Sequence, residues 1–184
     1  MPAGRPPIPA ELKRRVLMEA GHRCAIPTCR NHPVQIDHID DWSRVAEHRF
    51  DNLLALCGVC HDRKGNGPGQ IDRKSLIGYK GNLGTVTRLY SDMERRILED
   101  FAQRRHDGKP FGEIELPYLM DFMVAHLRRD GLLHIVRQSV GIVFAGESPT
   151  GYALTEAGEA FVDAMLAAEP VGKYFEGADI PEYP

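Results

Sequence analysis

The chain has 184 residues, 42% of them hydrophobic and 27% charged, which excludes a disordered composition and leaves room for one domain or two small ones. No apolar run approaches membrane-spanning length. The opening MPAGRPPIPA lacks a basic stretch followed by an apolar one, so neither a membrane location nor a secretory signal is expected, and the cytoplasm is the expected home. The net charge of −3 argues against a general nucleic-acid coat, but it is spread unevenly: residues 1–80 carry +4 (13 Lys/Arg, 9 Asp/Glu) and residues 81–184 carry −7 (10 and 17).

Residues 1–9 hold four prolines and a glycine and read as a flexible arm. Ala10 to Ala20 predicts a helix, with Leu12, Val16 and Leu17 on one face and Lys13, Arg14 and Arg15 exposed. Pro9 suits its start and Gly21 its end. Four residues separate Cys24 from Cys29, and two separate Cys57 from Cys60. Where thiols stay reduced, such pairs read as metal ligands. Together they make a closed, structural Zn²⁺ site, because four thiolates leave no position for water. His61 follows Cys60 directly, yet four thiols already complete the tetrahedron. Without the ion, a unit this small has too little core to hold together.

Val34 to Ile39 predicts a strand ending on Asp37-His38, Leu53 to Leu56 a second strand, and Gly58 to Arg63 a short helix. The loop DDWSRVAEHRF lies between the strands. Asp40 and Asp41 are expected to be solvated, and Trp42 to lie as a lid on the local core. Arg44, His48, Arg49, Arg63 and Lys64 are candidates for phosphate contacts, in the half of the chain whose charge suits them. Residues 71–87 are poorly patterned and read as a linker, with a short helix at Arg73–Ile77.

Asp37-His38, Asn52 and His61, spaced by this strand–loop–strand–helix pattern and registered with the two cysteine pairs, resemble the His-Asn-His (HNH) endonucleases. That resemblance implies a ββα fold around one divalent ion, Mg²⁺, Mn²⁺, Ni²⁺ or Zn²⁺. It implies Asp37 and His61 as ligands and His38 as the general base that takes a proton from the attacking water. A histidine suits that task because its ordinary pKa lies near neutrality. Asn52 matches the middle Asn, which in the family either ligates the ion or pins the loop; both roles stay open.

Farther on, Ser91 to Arg105 predicts a helix with Met93, Ile97, Leu98 and Phe101 inward, and Pro117 to Arg129 another. Leu132–Arg137, Gly141–Ala145 and Tyr152–Leu154 read as strands, and Thr155 caps a last helix. The helices, the hairpin and the phrase YALTEAGEAF resemble a winged-helix domain over residues 88–168. Its helix before the wing carries only Arg128 and Arg129, offset by Asp121 and Asp130. The net charge of residues 92–168 is −5, so protein docking or self-association is expected there rather than DNA binding.

The expectation is an α+β protein: a flexible arm at 1–9, a zinc-stapled ββα nuclease module at 10–70, a linker at 71–87, a winged-helix-like module at 88–168, and an acidic, aromatic tail at 169–184. The resemblance implies hydrolysis of DNA phosphodiesters. An effector of bacterial anti-phage defence controlled by a partner is one setting, and a stand-alone phage or restriction nuclease another. A catalytically silent module that only grips DNA or protein is the reading from a different class.

Overall fold

The computed structural model describes residues 5–137 and 149–175. The chain divides into a first unit running to Gly84 and completed by Ala167–Glu169, and a second formed by Thr85–Leu166 and residues from Pro170 onward. Among the described residues no helix is long and apolar enough to cross a membrane.

In the first unit, helix α1 (Ala10–Glu19) starts at Pro9, whose carbonyl accepts from the Lys13 amide, and Gly21 follows it with a φ of +60°. Strands β1 (Val34–His38) and β2 (Leu53–Cys57) pair antiparallel, with Val34 opposite Cys57 and His38 opposite Leu53. A short helix α2 (Trp42–Val45) lies in the loop between them, and α3 (Gly58–Asp62) follows β2 directly. All five residues of β2 are buried, which explains why LLALC is apolar throughout rather than alternating. Its two faces meet different partners. Leu53 and Ala55 pack with Val16 and Ala20 of α1. Leu54 and Leu56 pack with Cys24, Ile39, Ile71 and Leu76.

The expected linker at 71–87 is corrected by the structure. Helix α4 runs from Arg73 to Leu89, 17 residues. Leu76 is buried against the cysteine side of β2, and Lys80 is buried in an ion pair with Glu19 of α1 while lying 3.8 Å above the Phe50 ring. Gly78 sits against the Ala168 backbone, and Asn82 donates to the Glu169 carbonyl at 2.7 Å. These contacts make the late segment Ala167–Glu169 part of the first unit.

The second unit contains α5 (Asp92–His106), β3 (Glu113–Leu116), a 3₁₀ turn (Tyr118–Val124), α6 (Ala125–Arg129), β4 (Leu133–Arg137), β5 (Thr150–Leu154) and α7 (Glu156–Leu166). The three strands form an antiparallel sheet in the order β3-β5-β4. Leu98, Phe101, Leu127, Tyr152, Phe161 and Val162 form its fully buried core. Three sequence expectations change here. The helix at Pro117–Arg129 is a 3₁₀ turn followed by one short α-helix. Strand β3 was not anticipated. The tail begins as chain packed on its own unit, with Val171 fully buried and Tyr174 5.5 Å from the Phe161 ring. The strand expected at Gly141–Ala145 lies outside the described residues.

Two local devices hold this unit. Ser91 and Glu94 form a capping box at the start of α5, and the same buried Glu94 carboxylate accepts from His126 Nδ1 at 3.0 Å and from the backbone amides of His126 (2.8 Å) and Leu127 (3.3 Å). One carboxylate therefore caps two helices. Burial alone would raise its pKa, but the bonds from Ser91 and His126 outweigh burial and hold it below the usual carboxylate value. Its contribution is thus full above the unfolded pKa and is lost as pH falls through the lower folded one. Glu94→Ala should cost about 3 kcal/mol in urea unfolding of the second unit, by orphaning these buried donors.

The other device is Gly158 in the first turn of α7, where any Cβ would meet the Leu132 carbonyl. Thr155 ties the same corner: its amide donates to Leu132 at 3.0 Å, and its hydroxyl donates to the Gly131 carbonyl and accepts from the Gly158 amide. Gly158→Ala should lower stability by about 2 kcal/mol despite the better helix propensity of alanine, read as a fall in the urea midpoint.

Candidate metal and nuclease site

The cysteines come together as their spacing requires. The turn after α1 supplies Cys24 and Cys29, and the β2–α3 junction supplies Cys57 and Cys60. Their four sulfurs lie within 4.8 Å of one another, with Cys29 and Cys57 3.5 Å apart, and all four are free thiols. Tetrahedral thiolates on Zn²⁺ at about 2.3 Å place sulfurs about 3.8 Å apart, so the donor set fits that ion. Burial pushes the Cys24 thiol up to about 11 and raises Cys60 as well. At Cys57 burial is outweighed by the Cys60 amide and the neighbouring thiols, and its pKa falls. Thiols this buried need a cation to become thiolates. Among the described residues, no other group of three or more His, Cys, Asp or Glu is placed to hold a metal.

On β1, Asp37 and His38 point to different surroundings, as strand neighbours must. Asp37 Oδ2 lies 3.8 Å from His61 Nε2 on α3, so the carboxylate and the imidazole can reach one ion between them. They share an open pocket with Asp40, Asp41, Arg44 and Arg73. Lys64 is also in this cluster. Its ammonium donates to the His38 carbonyl and sits 3.4 Å from Asp37 and 3.1 Å from Asp41. Its ammonium is thus paired with the acids of this cluster.

His38 is buried at 2% exposure. Its Nδ1 lies 2.8 Å from an Arg5 guanidinium nitrogen, and its Nε2 lies 3.1 Å from His48 Nδ1. Trp42 packs edge-on to it at 5.9 Å and stacks on His48 at 4.5 Å. Burial, followed by the charges of Arg5 and His48, outweighs Asp37 and holds the imidazole below the usual histidine pKa. Trp42 thus lies against the rings of both His38 and His48. His48, a candidate for phosphate contact, faces His38 here, and Arg5 reaches it from a proline-rich arm in which a single arginine carries no signal of where it folds.

Asn52 spends both ends of its amide on Asp40: Oδ1 accepts from the Asp40 amide at 2.7 Å, and Nδ2 donates to its carbonyl at 3.0 Å. Both bonds tie the Asp40 backbone to the end of the loop. Asp40, expected to be solvated, is clamped by Arg73 of α4 through two bonds of 2.5 and 2.8 Å. The remaining phosphate candidates differ. Arg44 opens onto the pocket of Asp37 and His61. Arg49 is paired twice with Asp51, and Arg63 donates to the Gly69 carbonyl.

No curated protein and no solved structure matches the chain, and no comparison supports the winged-helix resemblance. Residues 22–67, from just before Cys24 to just past Lys64, match the family model of the HNH endonucleases, and the chain therefore carries an HNH endonuclease domain.

Proposed function

We propose that the chain is a metal-dependent endonuclease that hydrolyses DNA phosphodiester bonds. The observation that carries this reading is the convergence of Asp37, His38 and His61 on one ββα unit within the matched residues. Asp37 and His61 would hold one divalent ion, which when bound supplies Lewis-acid stabilisation of charge on the phosphate and the leaving oxygen. His38, neutral near pH 7 because burial and Arg5 depress its pKa, accepts a proton from the attacking water. Asn52 holds the Asp40 backbone, and Arg73 its carboxylate, behind these groups. The cysteine site is structural. The test is supercoiled plasmid with full-length protein of verified zinc content, in Mg²⁺, Mn²⁺ and Ni²⁺ separately. Nicked or linear DNA is expected with at least one ion and none with excess EDTA. Intact plasmid under all three ions overturns the reading.

We further propose that the acidic second unit docks protein and adds little to DNA affinity. Its charge of −5 over residues 92–168 repels phosphate, while Phe122 is 71% exposed. In metal-free gel shifts with the full chain, Arg44→Glu should weaken binding about tenfold, whereas Arg128→Glu should change it less than twofold. The reverse order overturns the assignment.

A further inference from the structure

The hydrogen bonds around His38 fix every proton in a short chain of groups. A guanidinium only donates, so Arg5 leaves His38 Nδ1 as an acceptor. Neutral His38 then carries its hydrogen on Nε2 and donates to His48 Nδ1. His48 in turn carries its hydrogen on Nε2 and donates at 3.0 Å to the Pro6 carbonyl, which only accepts. The two ends of the chain, both supplied by the Arg5–Pro6 segment, thus select the tautomers of both histidines. One consequence is chemical: the single basic lone pair of His38 faces Arg5 and not water.

The segment that does this is irregular, and only its Arg5 side chain need move. Residues 5–9 form no helix or strand, and an open cleft of about 600 Å³ lies between this segment and Leu17, Val34 and Ile36. Ile8 anchors the segment on the α1 core, and Arg5 reaches 5.9 Å over the Trp42 ring beyond it. A guanidinium gains far more from a phosphodiester, through two charge-assisted bonds, than from one bond to a neutral imidazole.

We propose that Arg5 is a substrate-operated latch on His38: in the DNA-free chain it occupies the imidazole's lone pair, and a phosphodiester draws it away and frees Nδ1. His48 is then a positioning residue that keeps the hydrogen on Nε2. With Nδ1 free, a water proton moves to it, the water oxygen bonds to phosphorus, the P–O ester bond breaks, and the released oxygen takes a proton from solvent. The latch rests on the nuclease reading for its purpose, but its test needs no cleavage.

Metal-free full-length protein is treated with diethyl pyrocarbonate, which acylates an unprotonated imidazole nitrogen, and labelling is mapped by mass spectrometry. Exposed His22 and His32 serve as internal references. His38 should label slowly in the wild type and at least tenfold faster in Arg5→Ala. Dimethyl phosphate, too small to cover the ring, should raise the wild-type rate toward that of the variant and leave the variant unchanged. Equal His38 rates in the two proteins, or a wild-type rate indifferent to the diester, overturn the latch. If labelling behaves as expected while no form cuts plasmid, the latch stands and the nuclease reading falls.

Discussion

His38→Ala is expected to lower plasmid cleavage by about a hundredfold or more while the protein keeps its zinc and its far-UV spectrum. The size follows from the role: a positioned general base contributes about 10²–10⁴ in rate. The variant must be checked for stability, because the imidazole is buried against Trp42 and His48 and its removal leaves a small hole. That cost is limited to about 1–3 kcal/mol, since the ring contributes no metal ligand and no strand pairing. The informative comparison is therefore the cleavage rate well below the melting temperature of the variant. Undiminished cutting there removes His38 from the chemistry.

Cys57→Ser is expected to act in the opposite way, on the fold. Cys57 ends β2, sits at the N-terminus of α3, and shares the sulfur cluster with Cys24, Cys29 and Cys60. A structural Zn²⁺ site contributes about 10–16 kcal/mol of apparent binding energy at neutral pH, more than the whole stability of an ordinary small domain. Losing one thiolate should remove most of the zinc and unfold the first unit, with a cooperative transition retained for the second. Elemental analysis finding no zinc in the wild type, or a normal first transition in the variant, would refute this.

Much of the first unit was legible because its signals are local. The two cysteine pairs, the apolar run LLALC and the Asp37-His38 dipeptide each announce their place, and β1, β2 and α3 fall within a residue or so of their expected bounds. Helix α4 was not legible, for a physical reason. RKSLIGYKGNLGTVTRL contains Gly78, Gly81 and Gly84, each unfavourable in a helix by about 1 kcal/mol against alanine. Only tertiary packing repays this, and at Gly78 the packing partner is Ala168, ninety residues away in sequence. The break between the 3₁₀ turn and α6 was hidden for a similar reason. The amides that restart the helix at His126 and Leu127 are capped by Glu94, an acceptor on another element. The arm over His38 was hidden most completely, since nothing in RPPIP specifies a histidine 33 residues away as its partner.

The packing of Ala168 on Gly78 also bears on when the first unit is finished during synthesis. The cysteines and the ββα strands have all been made by residue 62, so a zinc-bound nucleus can form early. The slot along α4, however, stays unfilled until residues 167–169 have left the ribosome. A chain interrupted within Thr85–Leu166 would carry Asp37, His38, His61 and the four cysteines on an unfinished scaffold. Completion of the first unit is thereby coupled to synthesis of Thr85–Leu166, which must precede the residues that fill it.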